Sequence, residues 1–412
     1  MWILQAHRKK NSPENYASFF CQESIQGTVS YNDIALKISC EQKQFASRQA
    51  YYYRTKEEAV EFLQHILAAV IRKKSTGANI EIIKSTFSHK RILIQDSTII
   101  RLPNKLYEFF SGVRNATTTV CNARIQGVYD LISGKFITFS IDPYSINDLK
   151  AVKMIDVQEG DIVLRDRGYF VISSIEGMKE NGADSLSRYK HKTVFYDPSS
   201  LEEINLLEQL QRKATIDIRV VSGSDKKIKL RIIAAMVPEE VANIRRMKAN
   251  KEAKHRGSAC SYELLQLLGY TIFITTIEDE NFTIQQACLL YSLRWRIECI
   301  FKTWKSNLNF DKIHNVSEFQ LGVLLRARLI MITLIYEKLY KHLEIVIAQS
   351  LNKQLSLMKF MQFISRNLIS FVKQFSDVTQ KNNAIKVIAR YCTYEKRKRN
   401  NFFDLMTSTY LT

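Results

Sequence analysis

The chain has 412 residues, of which 46% are hydrophobic and 25% charged, the balance of a globular protein rather than a disordered or fibrous one. Sixty Lys and Arg against 41 Asp and Glu leave a net charge of +19, which points to a polyanionic partner, either nucleic acid or an anionic membrane surface. The membrane is the weaker option. The start, MWILQAHRKK, lacks the order of a signal peptide, and the longest apolar run, Leu321–Ile335, is broken by Arg326 and Arg328 and falls short of a membrane span. The seven cysteines are odd in number and include no C-x2-C pair. That argues against a zinc ribbon or a disulfide framework and for a reducing cytoplasm. The seven histidines show no metal-ligand pairing, so a metal here would have carboxylate ligands and be a hard cation, Mg²⁺ or Mn²⁺.

Residues 1–75 read as a helical, basic region. Ser30 and Ser47 are N-cap candidates for two short helices, Ser30–Ser39 and Ala46–Arg54. Helix, turn and a helix opening Ser-Arg-Gln suggest a helix-turn-helix that offers Arg48, Gln49, Tyr52 and Arg54 to DNA; a plain helical bundle fits equally. Lys56–Lys74 is a stronger helix, with Phe62, Ile66, Leu67 and Val70 on one side. From about residue 80 strands begin. Ile92–Gln95 is an apolar strand ending in Asp96. Ala123–Leu131 and Phe136–Ile141 form a hairpin around Ile132–Lys135, Asn147–Val157 reads as a helix, and Gly160–Arg165 is a buried strand ending in Asp166. This order resembles the first half of an RNase H-like core, here residues 76–185.

Residues 186–275 read as a β-rich insertion. Thr215–Val221 and Ile228–Val237 form a second hairpin, Arg245–Arg256 is a very basic helix-like stretch, and Tyr270–Ile277 is a strand. The core resumes over 276–340, and 341–412 continues helical to the basic run Lys396–Arg399. Within the resumed core, Leu289–Phe310 reads as one helix. Tyr291, Arg294, Glu298, Lys302 and Lys305 fall within an arc of about 80° on it. Leu290, Leu293, Ile297, Ile300, Phe301 and Trp304 fill the neighbouring arc. One carboxylate among three cations and a phenol suits a metal-bound acid flanked by phosphate-binding groups. The alternative is a solvated face of i,i+4 ion pairs.

An acid closing a buried apolar strand is costly unless its charge is compensated; each of Asp96 and Asp166 is either such an acid or the cap of a turn. With Glu298 they offer three carboxylates able to hold two divalent ions about 3.5–4 Å apart, one activating the attacking oxygen and one stabilising the leaving oxygen of a phosphodiester. Asp130, Asp142, Asp148 and Asp161 are read as structural.

Tyr291-x2-Arg294-x3-Glu298-x6-Lys305 resembles the YREK signature of DDE transposases of bacterial insertion sequences. Ile92–Pro103 around Asp96 and VLRDRGYF around Asp166 are similar to that family's first and second aspartate motifs. The resemblance covers roughly residues 30–310. It implies an α/β fold, an RNase H-like mixed sheet flanked by helices, interrupted by the β-rich insertion and set between helical terminal regions. It also implies two Mg²⁺ or Mn²⁺ ions on Asp96, Asp166 and Glu298. The expected partners are the element's double-stranded DNA ends, target DNA and a second protomer held through the C-terminal helices. Arg294, Lys302 and Lys305 match phosphate-contacting residues, Tyr291 a tyrosine packed beside the DNA, and Arg188 with Lys190 an Arg-x-Lys pair on the end DNA. Tyr270 stands where hairpin-forming members carry a tryptophan, so it is either a base-stacking ring or a core residue. The rival readings are an RNase H-fold nuclease without strand transfer, a transposase-derived DNA-binding protein and a basic structural protein.

Overall fold

The computed structural model describes residues 13–395 apart from 26, 28–29, 43–46, 74–86, 113–119, 147–154 and 226. Two compact units emerge: one built from Met1–Ser85, Ser97–Ile146 and Arg296–Asn400, the other around Thr86–Asp96 and Asn147–Trp295.

The first unit opens with four helices, α1 (Pro13–Ser24), α2 (Tyr31–Gln42), α3 (Arg48–Arg54) and α4 (Glu57–Arg72). Both expected caps are present: Ser30 Oγ accepts the Asn32 amide at 3.1 Å and Ser47 Oγ the Ala50 amide at 3.3 Å. α3 has only seven residues; it buries Tyr51 and exposes Arg48, Gln49, Tyr52 and Tyr53. The buried stripe of α4 is centred on Ala59, Leu63 and Leu67, with Phe62, Ile66 and Val70 half-buried at its flank.

β1 (Arg91–Arg101) runs five residues past Asp96, so that acid lies inside a strand and not at its end. The continuation is one-sided, Ile100 buried and Ile99 exposed, an alternation that the purely apolar run before it conceals. β2 (Asn122–Asp130) and β3 (Lys135–Pro143) pair antiparallel, and in this unit the strand order is β3-β2-β1. Their turn is fixed by Asp130, whose carboxylate accepts the Ile132 and Ser133 amides at 3.1 and 3.2 Å, and by Gly134 at φ +62°. The helix expected over Asn147–Val157 lies mostly outside the described residues, and its last residues, from Ile155, are not helical.

The second unit carries β4 (Asp161–Arg165), α5 (Ile172–Glu180) and β5 (Asp184–Arg188), then α6 (Leu206–Arg212), β6 (Thr215–Ser222), β7 (Ile228–Met236), α7 (Glu239–His255), α8 (Tyr262–Leu267), β8 (Tyr270–Thr275) and α9 (Ile284–Ser292). The start of β1, β4 and β5 are parallel, β8 pairs antiparallel with β5 and with β7, and the order is β1-β4-β5-β8-β7-β6. The central strands are buried on both faces, with Ile162, Leu164, Leu186 and Phe273 at 0% exposure, which is why they read as continuous apolar runs. α5 packs on β5 and α9 on β7. The mixed sheet flanked by helices matches the expected class, and the segment 186–275 contributes three of its strands together with α6, α7 and α8.

The single helix expected over Leu289–Phe310 is two helices, α9 and α10 (Trp295–Asn307). At the break the Leu293 amide is shared between the Leu289 and Leu290 carbonyls at 3.3 and 3.2 Å, and the Arg294 amide bonds to Tyr291 O at 3.1 Å. Tyr291 therefore lies near the end of one helix, Arg294 sits in a tight turn, and Glu298, Lys302 and Lys305 ride the next helix. The apolar positions stay in phase across the break: Leu290, Leu293, Ile297, Ile300, Phe301 and Trp304 are all at most 4% exposed.

The first unit then returns with α11 (Glu318–Leu334), a π-helical segment Ile335–Tyr340 and α12 (Lys341–Leu351), followed by α13 (Leu357–Ser376) and α14 (Lys381–Tyr391). Against the expectation from the apolar run, the continuous helix Glu318–Leu351 is long and apolar enough to cross a membrane. It is nevertheless an interior helix of its unit. Its apolar window is 67% buried, α11 packs on α1 and α4, and Val60 lies 3.0 Å from where a Cβ on Gly322 would stand. The run Lys396–Arg399 lies outside the described residues.

Candidate active site

In β1 and β4 the parallel register ends with Gln95 opposite Arg165. Asp96 is the next residue of β1 and Asp166 the first residue past the end of β4, so the two acids occupy adjacent positions on neighbouring chain segments. In the preceding pair Arg165, 3% exposed, donates from Nε to Gln95 Oε1 and from Nη1 to Ser174 Oγ, both at 2.8 Å. Burial lowers the Arg165 guanidinium to about 9. This buried bond ties the two strands together one residue before the acids and fixes their spacing.

Two neighbouring carboxylates repel, and the second unit supplies the groups that offset this. Arg294 Nη1 donates to Asp96 Oδ2 at 3.1 Å, and the Tyr291 hydroxyl reaches Asp166 Oδ1 at 3.5 Å. Burial pushes the Tyr291 phenol up to about 12, with Asp166 adding to the rise and Arg294 and Arg188 opposing it; it stays a proton donor at neutral pH. Arg188, the last residue of β5, lies over the Phe273 and Tyr291 rings at 5.0 and 5.4 Å, and Arg294 over Tyr291 at 5.6 Å. Burial lowers the Arg188 guanidinium from its ordinary range. It is a strand-end arginine stacked on aromatic rings.

Asp166 also lines a cleft of about 700 Å³ together with Arg167, Arg188, Lys192, Arg245, Lys248, Tyr270, Tyr291 and Arg294. Arg245 is built into its wall, donating to Tyr270 O at 3.0 Å and Thr271 Oγ1 at 3.1 Å. The Tyr270 ring is half-buried; it packs against the hydrophobic core of this unit and faces the cleft as well. Lys190 is exposed nearby in sequence but does not line the cleft. Arg245 and Lys248 belong to the basic stretch Arg245–Arg256 noted in the sequence, whereas Arg167 and Lys192 were not singled out. Arg167 was detectable because it follows Asp166 inside the DRGY motif; Lys192 carries no local signal beyond its charge.

The remaining predicted residues stand in the first unit. Glu298 is half-buried, Lys302 exposed and Lys305 half-buried on α10, while Arg48 is exposed and Arg54 half-buried on α3. Asp161, at the opposite end of β4, is 1% exposed and paired with Arg91 Nε at 2.8 Å, which makes it structural, as Asp130 is. Among the described residues no three His, Cys, Asp and Glu side chains gather within metal-binding reach. The Asp96–Asp166 pair nevertheless fits a hard divalent cation. It presents two adjacent oxygen donors whose repulsion the protein itself offsets with Arg294 and Tyr291, groups a cation would relieve of that task.

A family model, the transposase DDE domain, matches residues 87–334. The chain is 27% identical over 390 residues to the transposase for insertion sequence element IS231F of Bacillus thuringiensis subsp. israelensis, covering 87% of this chain and 80% of that protein. It is 27% identical over 309 residues to the transposase for IS1151 of Clostridium perfringens, covering 70% and 65%. Among solved structures, a piggyBac transposase synaptic complex with hairpin DNA aligns with 96% of this chain and 79% of its own at a TM-score of 0.42 and 10% identity.

Proposed function

From the premise that the chain belongs to the DDE transposase family and is a DNA transposase, we propose that Asp96, Asp166 and Glu298 hold its divalent metal ions. The protein would bind the terminal inverted repeats of an insertion sequence, nick them by hydrolysis and join the 3′-ends to target DNA in the cytoplasm. The observation that carries this reading is Asp166 lining a basic, aromatic-lined cleft together with Arg294, which bonds to Asp96 at the adjacent strand position. When bound, two Mg²⁺ or Mn²⁺ ions would activate the attacking oxygen and stabilise the leaving oxygen of the phosphodiester. The chain's own groups do the rest. Arg294 and Tyr291 keep the aspartates in place while the site is empty of DNA, and Arg188 and Arg167 offer charge to phosphates beside Asp166.

Residues 1–75 with Arg48 and Arg54 are proposed to contact the end DNA, and residues 341–412 to carry the contact between two protomers, since two ends must be cut and joined together. A nuclease that shares this site without strand transfer would cut and never yield a joined product; an assay that follows both products separates the two.

Lys190 and Lys302 are the cleanest probes of phosphate contact, because both are exposed and, unlike Arg188, are not stacked into the site. Lys190→Ala and Lys302→Ala are expected each to lower the salt slope of end binding by about 1. Unchanged affinity and slope, measured by titration over a range of salt, would place the phosphates elsewhere.

Tyr270→Ala is expected to impair the step after first-strand nicking by about 10- to 100-fold, the value of one stacked base, and Tyr270→Trp to retain it. A parallel fall of thermal stability and every activity would make the ring a core residue only.

A further inference from the structure

Arg296 stands in the first turn of α10, two residues before Glu298, and is 8% exposed. A buried cation loses its hydration, and at a helix N-terminus it also opposes the helix dipole. Both costs are offset by oxygens gathered from β2, the π-helical segment and α12. The Tyr336 hydroxyl is hydrogen-bonded with Arg296 and lies 2.9 Å from the Tyr129 hydroxyl. Glu344, 6% exposed, interacts electrostatically with Arg296, which opposes the rise that burial imposes on its carboxyl, and the Tyr340 hydroxyl lies 3.0 Å from Glu344 Oε1.

The tyrosines are presented by the π-helical turn. Such i→i+5 turns are rare and occur frequently at functional sites. Here the turn brings the Tyr336 and Tyr340 rings into a stack at 5.3 Å and 12°. Lys341 locks the same turn from the other side, donating to Ser133 O and Glu337 Oε1 at 2.8 Å each.

The start of α10 needs such an anchor. It is not a continuation of α9, because the chain turns at Leu293 and Arg294, and Trp295 is 63% exposed. Two residues along a helix differ by about 200° in direction. Fixing Arg296 into the cluster therefore fixes the direction in which Glu298 points, away from it. We propose that Arg296, bonded to Tyr336 in the field of Glu344, is a positioning residue that sets the rotation of α10 and so presents Glu298 to metal. This rests on the reading of Glu298 as a metal ligand.

The test uses the full-length protein and three readouts: Mn²⁺ binding from the paramagnetic resonance signal of the free ion, the Mg²⁺ midpoint of end nicking, and end-DNA affinity without metal. Tyr336→Phe removes one oxygen and keeps the ring, so it carries the test even where Arg296→Lys fails to fold. Both variants are expected to weaken Mn²⁺ binding and raise the Mg²⁺ midpoint by about 10- to 100-fold, as second-layer changes at metal sites do, with end-DNA affinity unchanged. Unaltered Mn²⁺ binding and Mg²⁺ midpoint in Tyr336→Phe would overturn the proposal. So would a loss in which stability, DNA binding and nicking fall together at an unchanged midpoint. Glu298→Gln, run alongside, separates the two layers. If it leaves Mn²⁺ binding and nicking intact, the reading of Glu298 itself fails; if it abolishes both while Tyr336→Phe is silent, the positioning role alone fails.

Discussion

Asp166→Asn and Asp96→Asn are each expected to reduce nicking of end DNA by at least about a thousandfold, while end binding persists. The amide keeps the shape of the carboxylate and an oxygen that Arg294 or Tyr291 can still donate to, but it loses the charge that would hold a cation. Metal ions at such sites supply several kcal/mol of transition-state stabilisation, and about 4 kcal/mol corresponds to a thousandfold in rate. End binding rests on phosphate contacts spread over many cations, so removing one negative charge should leave it unchanged or strengthen it slightly. Single-turnover nicking of a labelled end fragment, beside a binding titration at fixed salt, measures both. Residual nicking within about tenfold of the parent in Asp166→Asn would remove that residue from the catalytic set.

Arg328→Met is expected to destabilise the first unit by about 3–5 kcal/mol, the range seen when one member of a buried charged network is removed. Arg328 has no exposed surface and donates to four carbonyls: Ser24 at 2.8 Å, Gly27 at 2.5 Å, Phe310 at 3.2 Å and Lys312 at 3.0 Å. Burial lowers its guanidinium to about 10, still far enough above neutrality for the group to stay charged. Methionine fills most of the volume but leaves those carbonyls without their donor, and each unsatisfied buried acceptor costs about 1–3 kcal/mol. Because the four carbonyls lie at and just past the end of α1 and between α10 and α11, the loss should loosen α1 against α11 first. Denaturant unfolding followed by circular dichroism measures the total. A change below about 1 kcal/mol would mean that water or neighbouring groups replace the guanidinium.

These two residues mark what the sequence did and did not convey. Asp96 and Asp166 were legible because each follows an apolar run, a pattern set by local chemistry. Arg328 was visible only as an interruption of an apolar run, since nothing nearby in sequence announces four carbonyls contributed by distant turns. The same contrast appears at the helix break. The apolar phase of Leu290, Leu293, Ile297 and Ile300 continues straight through Leu293 and Arg294, so periodicity predicts one helix. Burial of Leu293 and the Arg294–Asp96 pair, 198 residues apart in sequence, impose a turn that no local preference signals. The stacking of Arg188 over Phe273 was not legible, because it depends on the pairing of β5 with β8. Tyr270 was ambiguous between core and cleft, and the structure gives its ring both neighbours.

The strand-transfer assay tests the central claim most directly. The full-length protein is incubated with Mg²⁺, a DNA carrying its own element's ends and a separate target DNA, and the products are sized on denaturing gels. The account predicts nicked ends followed by a longer species in which the element's 3′-ends are joined to target, both absent without the metal and both absent with Asp166→Asn. Cleavage that never yields the joined species, or joined product that persists with Asp166→Asn, would contradict it.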